Sequence, residues 1–238
     1  MITNYGCRIR PWHKRWGAAH VEIVGPMPGD DIVPRAQFNA TRVISIERPS
    51  EEVWPWIVQI GYRRAGFYIY DLVDNAGERS ADRIIDEYQN VKVGDLIPMF
   101  HESHGLAIAY RVDSFQTNDW MLWVHRPHEN ERPGSTWSWR LTPLPGGATR
   151  LVTRMKQDYR WRTPRLAIFN LILMEFGDFA MGRRMLKGIK ARAESRHVTK
   201  GCHRESDPAS SRAVGTSAIF GAVSFWDSTG NRTDCQLG

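Results

Sequence analysis

Apolar residues recur at two different periods along this chain, and the change of period divides it. From Arg165 to Glu194 there is no proline, and Ile168, Ile172, Phe179, Gly182, Leu186, Ile189 and Ala193 fall at helical spacings. That recurrence predicts an amphipathic α-helix of roughly 25–30 residues. A stripe of that length must be buried against something broad. Ahead of it the period is mostly two. Thr41–Ile46, Leu96–Phe100, Leu106–Phe115, Trp120–Arg126, Thr136–Thr142 and Thr149–Lys156 read as strands, the last two joined by a turn at Leu144–Gly147. A helix is expected from Pro49 to Ile60, with Glu51 and Glu52 in its first turn, Pro55 near that turn and Gly61 at its end.

Between these elements, Arg63–Asn75 reads as an aromatic loop running into a short helical stretch, and Ser80–Gln89 leads to a turn at Val93-Gly94-Asp95. The order strand, helix, several antiparallel strands, helix is an α+β pattern, not the alternation of a parallel nucleotide-binding sheet. It divides the chain into three parts. Residues 1–37, with Pro26, Pro28 and Pro34, are expected to form an extended arm anchored by Trp12 and Trp16, 38–196 the domain, and 197–238, rich in Ser, Thr, Gly, Asp and Arg, a disordered or loosely attached tail.

Composition narrows this picture without redirecting it. At 238 residues, 42% hydrophobic and 24% charged, the chain has the make-up of an ordinary globular protein. The net charge of +6 is concentrated from Arg183 to Lys200, where seven Lys/Arg face the single Glu194. Cations there suit a solvated helix C-terminus, attraction to a membrane or nucleic acid being the alternative. Cys7, Cys202 and Cys235 are odd in number and far apart, which suits a reducing cytoplasm. The most apolar run, Leu166–Phe176, is too short to span a bilayer, and no signal peptide is expected.

Candidate chemistry is sparse. Glu175 falls on the apolar stripe, where it is a cavity acid, half of a structural ion pair with an arginine such as Arg140 or Arg154, or simply exposed beside a helix kink at Gly177. Tyr68, Tyr70 and Asp71 gather two phenols and a carboxylate in one loop, as a lid or as loop packing. Trp137, Trp139 and Leu141 share a strand face opposite Ser138, Arg140 and Thr142. His101…His104 and His125…His128 are His-x-x-His pairs outside any metalloprotease motif, so no metal or other cofactor is expected.

Several blocks resemble bacterial START-related proteins of the SRPBCC superfamily, which includes polyketide cyclase/dehydrase-like and pollen-allergen-like proteins. They are Asp31–Pro34, Thr41-Arg42, Pro49–Gly61 with its Val-Trp-Pro-Trp, Gly66–Asp71, Ser80–Ile84, Val93–Asp95 and Met185–Lys190. The likeness runs from about Trp16 to Glu194. It implies a helix-grip fold, an antiparallel curved sheet wrapped around the long C-terminal helix and enclosing a hydrophobic cavity. The chain departs from the pattern in a short Asp71–Ser80 segment, and in Glu175–Phe179, where a Glu-Pro-x-His-Phe run would stand.

On that fold the expected function is binding of a hydrophobic small molecule or lipid-like ligand. Tyr110, Trp123, Trp137 and Trp139 would wall the pocket, with Tyr68, Tyr70 and Glu175 as polar contacts. The alternatives are a cyclase/dehydratase-like enzyme using Glu175 or Asp71 as general acid/base, and an interaction module with a filled interior. Neither a nucleic-acid partner nor an integral membrane segment is expected.

Overall fold

A computed structural model describes residues 10–69, 77–99, 109–127, 131–158 and 175–200, with side chains up to Ser195. Ile168, Ile172, Tyr70, Asp71, His101, His104, His128 and the tail beyond Lys200 lie outside the described residues. The elements are α1 (Arg10–Lys14), α2 (His20–Val24), β1 (Phe38–Ile46), α3 (Ser50–Val58), a 3-10 turn (Asp86–Tyr88), β2 (Leu96–Pro98), β3 (Ala109–Gln116), β4 (Trp120–His125), β5 (Ser135–Leu144), β6 (Ala148–Gln157) and α4 (Glu175–Lys200). All six strands join one antiparallel curved sheet in the order β1-β6-β5-β4-β3-β2, so the first and last strands pair.

Period-two alternation decides which residues point inward. Trp137 lies opposite Trp123 and Met155, Trp139 opposite Met121 and Thr153, and Leu141 opposite Leu151. This face meets Val53, Trp54, Trp56 and Ile57 of α3, and Met185, Leu186, Ile189 and Ala193 of α4, in one buried cluster. The buried positions of α4, from Gly182 through Ala193, are the periodic ones apart from Met185. Phe179 is half-buried, and the helix continues past its expected end at Glu194 to Lys200. In α3, Pro55 is the sixth of nine residues rather than a first-turn residue. Its missing N–H removes the helical bond to the carbonyl of Glu51, an exposed residue.

The segment before β1 carries two one-turn helices where an extended arm was expected. It passes from the helix side of the sheet, around the β1 edge, to the outer face. There Arg150 grips Glu22 and the Gly17 carbonyl; Arg154 donates to Asp30 and to the carbonyls of Glu22, Ile23 and Gly25; and Lys156 donates to the Asp30 carbonyl. Met27 packs on Val43 and Val152. Polar outward positions such as Thr136, Ser138 and Arg154 are therefore buried, at 2%, 2% and 4% exposure.

The free edge of β1 is closed as well. Val43 N–H donates to the Trp16 carbonyl at 3.0 Å, Lys190 Nζ to the Ser45 carbonyl at 2.7 Å, and Glu47 N–H to Glu194 at 2.8 Å. An unpaired strand edge invites pairing with other chains, and these contacts remove the invitation. Gly17, at φ +74°, lies against Val43 so closely that a Cβ would run into the Val43 carbonyl. Gly17→Ala is expected to cost about 2–3 kcal/mol, from the left-handed backbone and the steric clash together. Urea unfolding at neutral pH measures it, and a loss under about 0.5 kcal/mol would show that the arm is not seated on this edge.

Candidate functional site

The N-terminal end of α4 meets the inward face of β1 in a cluster of charges. Arg42 occupies an inward position in a strand of β-branched residues, is 4% exposed, and ion-pairs with Asp178. It also donates to the His13 carbonyl at 3.3 Å and lies over the Phe179 ring. Gly182 makes room, since a Cβ there would approach Arg42 Nη1 to 2.8 Å. One turn earlier, Glu175 is 3% exposed, and Arg10 holds both of its carboxylate oxygens at 2.8 Å, with Lys14 at 3.9 Å. Burial lowers the Lys14 pKa against the pull of Glu175. Burial and then Arg42 lower that of His13, also against Glu175.

Glu175 is thus half of an ion pair, but not with the arginines expected for it. Arg140 and Arg154 project from the outer face of the sheet, where Arg140 donates to the Pro26 carbonyl and Arg154 pairs with Asp30. The sheet itself separates them from α4. Both Glu175 oxygens are engaged, so using it as a general acid/base would require displacing Arg10.

Next to this cluster the sheet carries the aromatic wall. Trp123, Trp137 and Trp139 form a triangle of rings 5.1–5.5 Å apart, and Tyr110 packs edge-on to Trp137 at 6.0 Å. The structure therefore brings together the four residues expected to wall a pocket. Ser135 donates to the Lys156 carbonyl, so the Tyr110 hydroxyl donates to Ser135 Oγ, 2.6 Å away. Burial pushes the Tyr110 pKa up to about 12, against a smaller opposing effect of the Ser135 hydrogen bond. The Trp137 indole donates to Thr153 Oγ1 and that of Trp123 to Met121 Sδ. Those of Trp56 and Trp139, both at 0% exposure, find no acceptor among the described residues.

Tyr68 lies apart from that wall. Its hydroxyl donates to the Trp56 carbonyl and accepts from Gln59, and its ring faces the Arg192 guanidinium at 4.4 Å. Its φ of +59° is strained for a tyrosine and is held by an N–H bond to Ser80 Oγ. Burial, opposed by the Gln59 hydrogen bond, raises its pKa. Gln59 went unnoticed in the sequence, although at 0% exposure it also binds Ile85 N–H and the Arg83 carbonyl. Its only signal was a polar residue closing an otherwise apolar helix face. Of the His-x-x-His residues, His125 is described, with its Nδ1 2.9 Å from the Ala109 carbonyl.

The described residues form several clefts. One of 310 Å³ is lined by Arg10, Lys14, Arg15, Asn39 and Thr41; another of 310 Å³ lies on the outer face beside Met27 and Arg140; a third of 550 Å³ runs between β1 and α4 past Trp16, Ile44 and Lys187. The aromatic wall lines none of these three.

No family model matches the chain, and no curated protein sequence does. Solved structures do resemble it. A hypothetical protein of Helicobacter pylori aligns with a TM-score of 0.45 at 12% identity, over 71% of this chain and 95% of that one. A Mycobacterium smegmatis protein gives 0.42 at 14% identity over 67% and 92%, and a Mesorhizobium loti protein 0.38 at 16% identity over 65% and 97%. No described helix is long and apolar enough to cross a membrane.

Arg10→Gln is expected to cost about 2 kcal/mol, less than a fully buried pair because Arg10 is a third exposed. Adding Glu175→Gln should return part of that loss in urea unfolding. Tyr110 gives the fold a dependence on alkaline pH. Its folded pKa lies above the unfolded value of 10.0, so its contribution is complete below pH 10 and is lost as pH rises through about 12. Thermal unfolding should fall more steeply across that window for the wild type than for Tyr110→Phe; equal slopes would contradict the burial of this phenol.

Proposed function

We propose that this chain is a START-like helix-grip protein that holds a hydrophobic or lipid-like small molecule between the sheet and α4. The observation that carries the reading is the pair of orphaned indole donors, Trp56 and Trp139, in an otherwise apolar interior. Leaving a buried donor without an acceptor costs roughly 1–3 kcal/mol each, and few such groups persist without a role. An apolar molecule bearing an ether, carbonyl or carboxylate oxygen would satisfy them. The surrounding rings supply the apolar contact that such a ligand needs. The strand–helix–strands–helix order, with β1 pairing β6, supports the same architecture. The bidentate grip on Glu175 favours holding a ligand over acid/base turnover.

Native mass spectrometry of freshly purified protein should show a retained small molecule. After delipidation, a fatty acid or similar amphiphile should rebind at one per chain. In ¹⁵N-edited NMR its uptake should move the Trp56 and Trp139 indole protons downfield, as expected of newly accepted hydrogen bonds. A chain that carries nothing, binds no amphiphile after delipidation and keeps its indole signals in place would end this reading.

A further inference from the structure

The outward face of α4 carries a pattern that ligand binding does not use. Phe176, Ala180, Arg183, Lys187 and Ala191 are exposed at spacings of four, three, four and four, so they lie on one side of the helix. Phe176 is 40% exposed and packs on His13, and Trp12 of α1, 54% exposed, packs on the same His13 and on Phe179, at ring distances of 5.4 and 4.9 Å. Arg183 lies over the Trp16 ring, and Arg15 is exposed on the turn that follows α1. Two large exposed rings gathered on one histidine are uncommon on a protein surface that meets only water.

The charges around these rings are sorted by sign. The carboxylates of α4 are each committed: Glu175 to Arg10, Asp178 to Arg42 and Glu194 to Lys190. Arg15, Arg183 and Lys187 have no carboxylate partner among the described residues. The face therefore offers two aromatic side chains flanked by uncompensated cations. Tryptophan beside lysine and arginine suits the boundary between lipid headgroups and acyl chains, where the ring enters and the cations meet phosphate or carboxylate.

We propose that this face, formed by α1 and the outward side of α4, docks the protein on an anionic lipid bilayer surface. A nucleic-acid duplex would use the cations but keeps its bases stacked away from the rings, which a bilayer would bury, so the pairing of rings with charge favours the bilayer. Binding of this kind is peripheral and reversible, since two rings and a few cations fall far short of an inserted helix.

Vesicle co-sedimentation of the full chain tests the proposal. The protein should pellet with phosphatidylcholine vesicles containing about one third phosphatidylserine, stay free with phosphatidylcholine alone, and release as salt shortens the Debye length. Arg183→Gln with Lys187→Gln should weaken partitioning roughly thirtyfold, from two cations near the surface. Trp12→Ser with Phe176→Ser should also weaken it and should abolish a blue shift of tryptophan emission on binding. Lys92→Gln, beside the opposite edge of the sheet, should leave binding unchanged, and circular dichroism should show every variant folded. Equal binding to neutral vesicles, unchanged binding by the glutamine pair, or tighter retention by a short oligonucleotide than by anionic vesicles would overturn the proposal. Vesicle binding needs no interior ligand, so its failure would leave the ligand reading untouched.

Discussion

Arg42 sits at 4% exposure on the inward face of β1, and a guanidinium taken that far from water must be surrounded by acceptors or by a counter-charge. Asp178 supplies the charge, the His13 carbonyl an acceptor, and Phe179 a ring face. Those three come from two different segments, the first turns of α4 and the helix α1. The demand of one buried cation therefore fixes the register of the terminal helix on the sheet and draws the N-terminal segment onto both. Gly182 follows from the same constraint, because a larger residue there would press on the guanidinium. Glu175 and Arg10 repeat the arrangement one turn earlier, an acid on α4 again held by a base, here one from α1.

Strand alternation made the inner face legible. Trp137, Trp139 and Leu141 point inward together because residues two apart in a strand must, and the strands lie within a few residues of where the pattern puts them. The same rule already placed Arg140 on the face opposite Trp139, so its exclusion as a partner for Glu175 was available in the sequence. The partner that Glu175 does have was not, because Arg10 is 165 residues away in a segment without periodicity. Outer-face burial was equally hidden. Thr136, Ser138 and Arg154 are polar, as solvent-facing positions are, yet they are covered by an arm whose grip is made of backbone carbonyls that any sequence would offer.

The aromatic wall and the charge cluster are consequences of one geometry. Where the sheet lies beneath α3 and α4, its inward residues are apolar and ring-rich; Tyr110 finds a partner in Ser135 and Tyr68 in Gln59, while the Trp56 and Trp139 indoles are left without an acceptor among the described residues. Towards the start of α4 the partners become ions. This gradient from greasy to charged along one helix separates an interior suited to apolar matter from a rim that anchors the arm.

The pairing of β1 with β6, and the hold of Arg10 and Arg42 on α4, have a consequence for how the chain comes to be folded. During synthesis the first forty or so residues emerge long before the strand and helix that complete them, so the arm has nothing to close on until nearly all of the domain exists. Contacts this distant in sequence make for slow acquisition of structure. A nascent chain of this kind waits with its ring-rich surface uncovered, and its yield in a cell is set by how well that interval is protected.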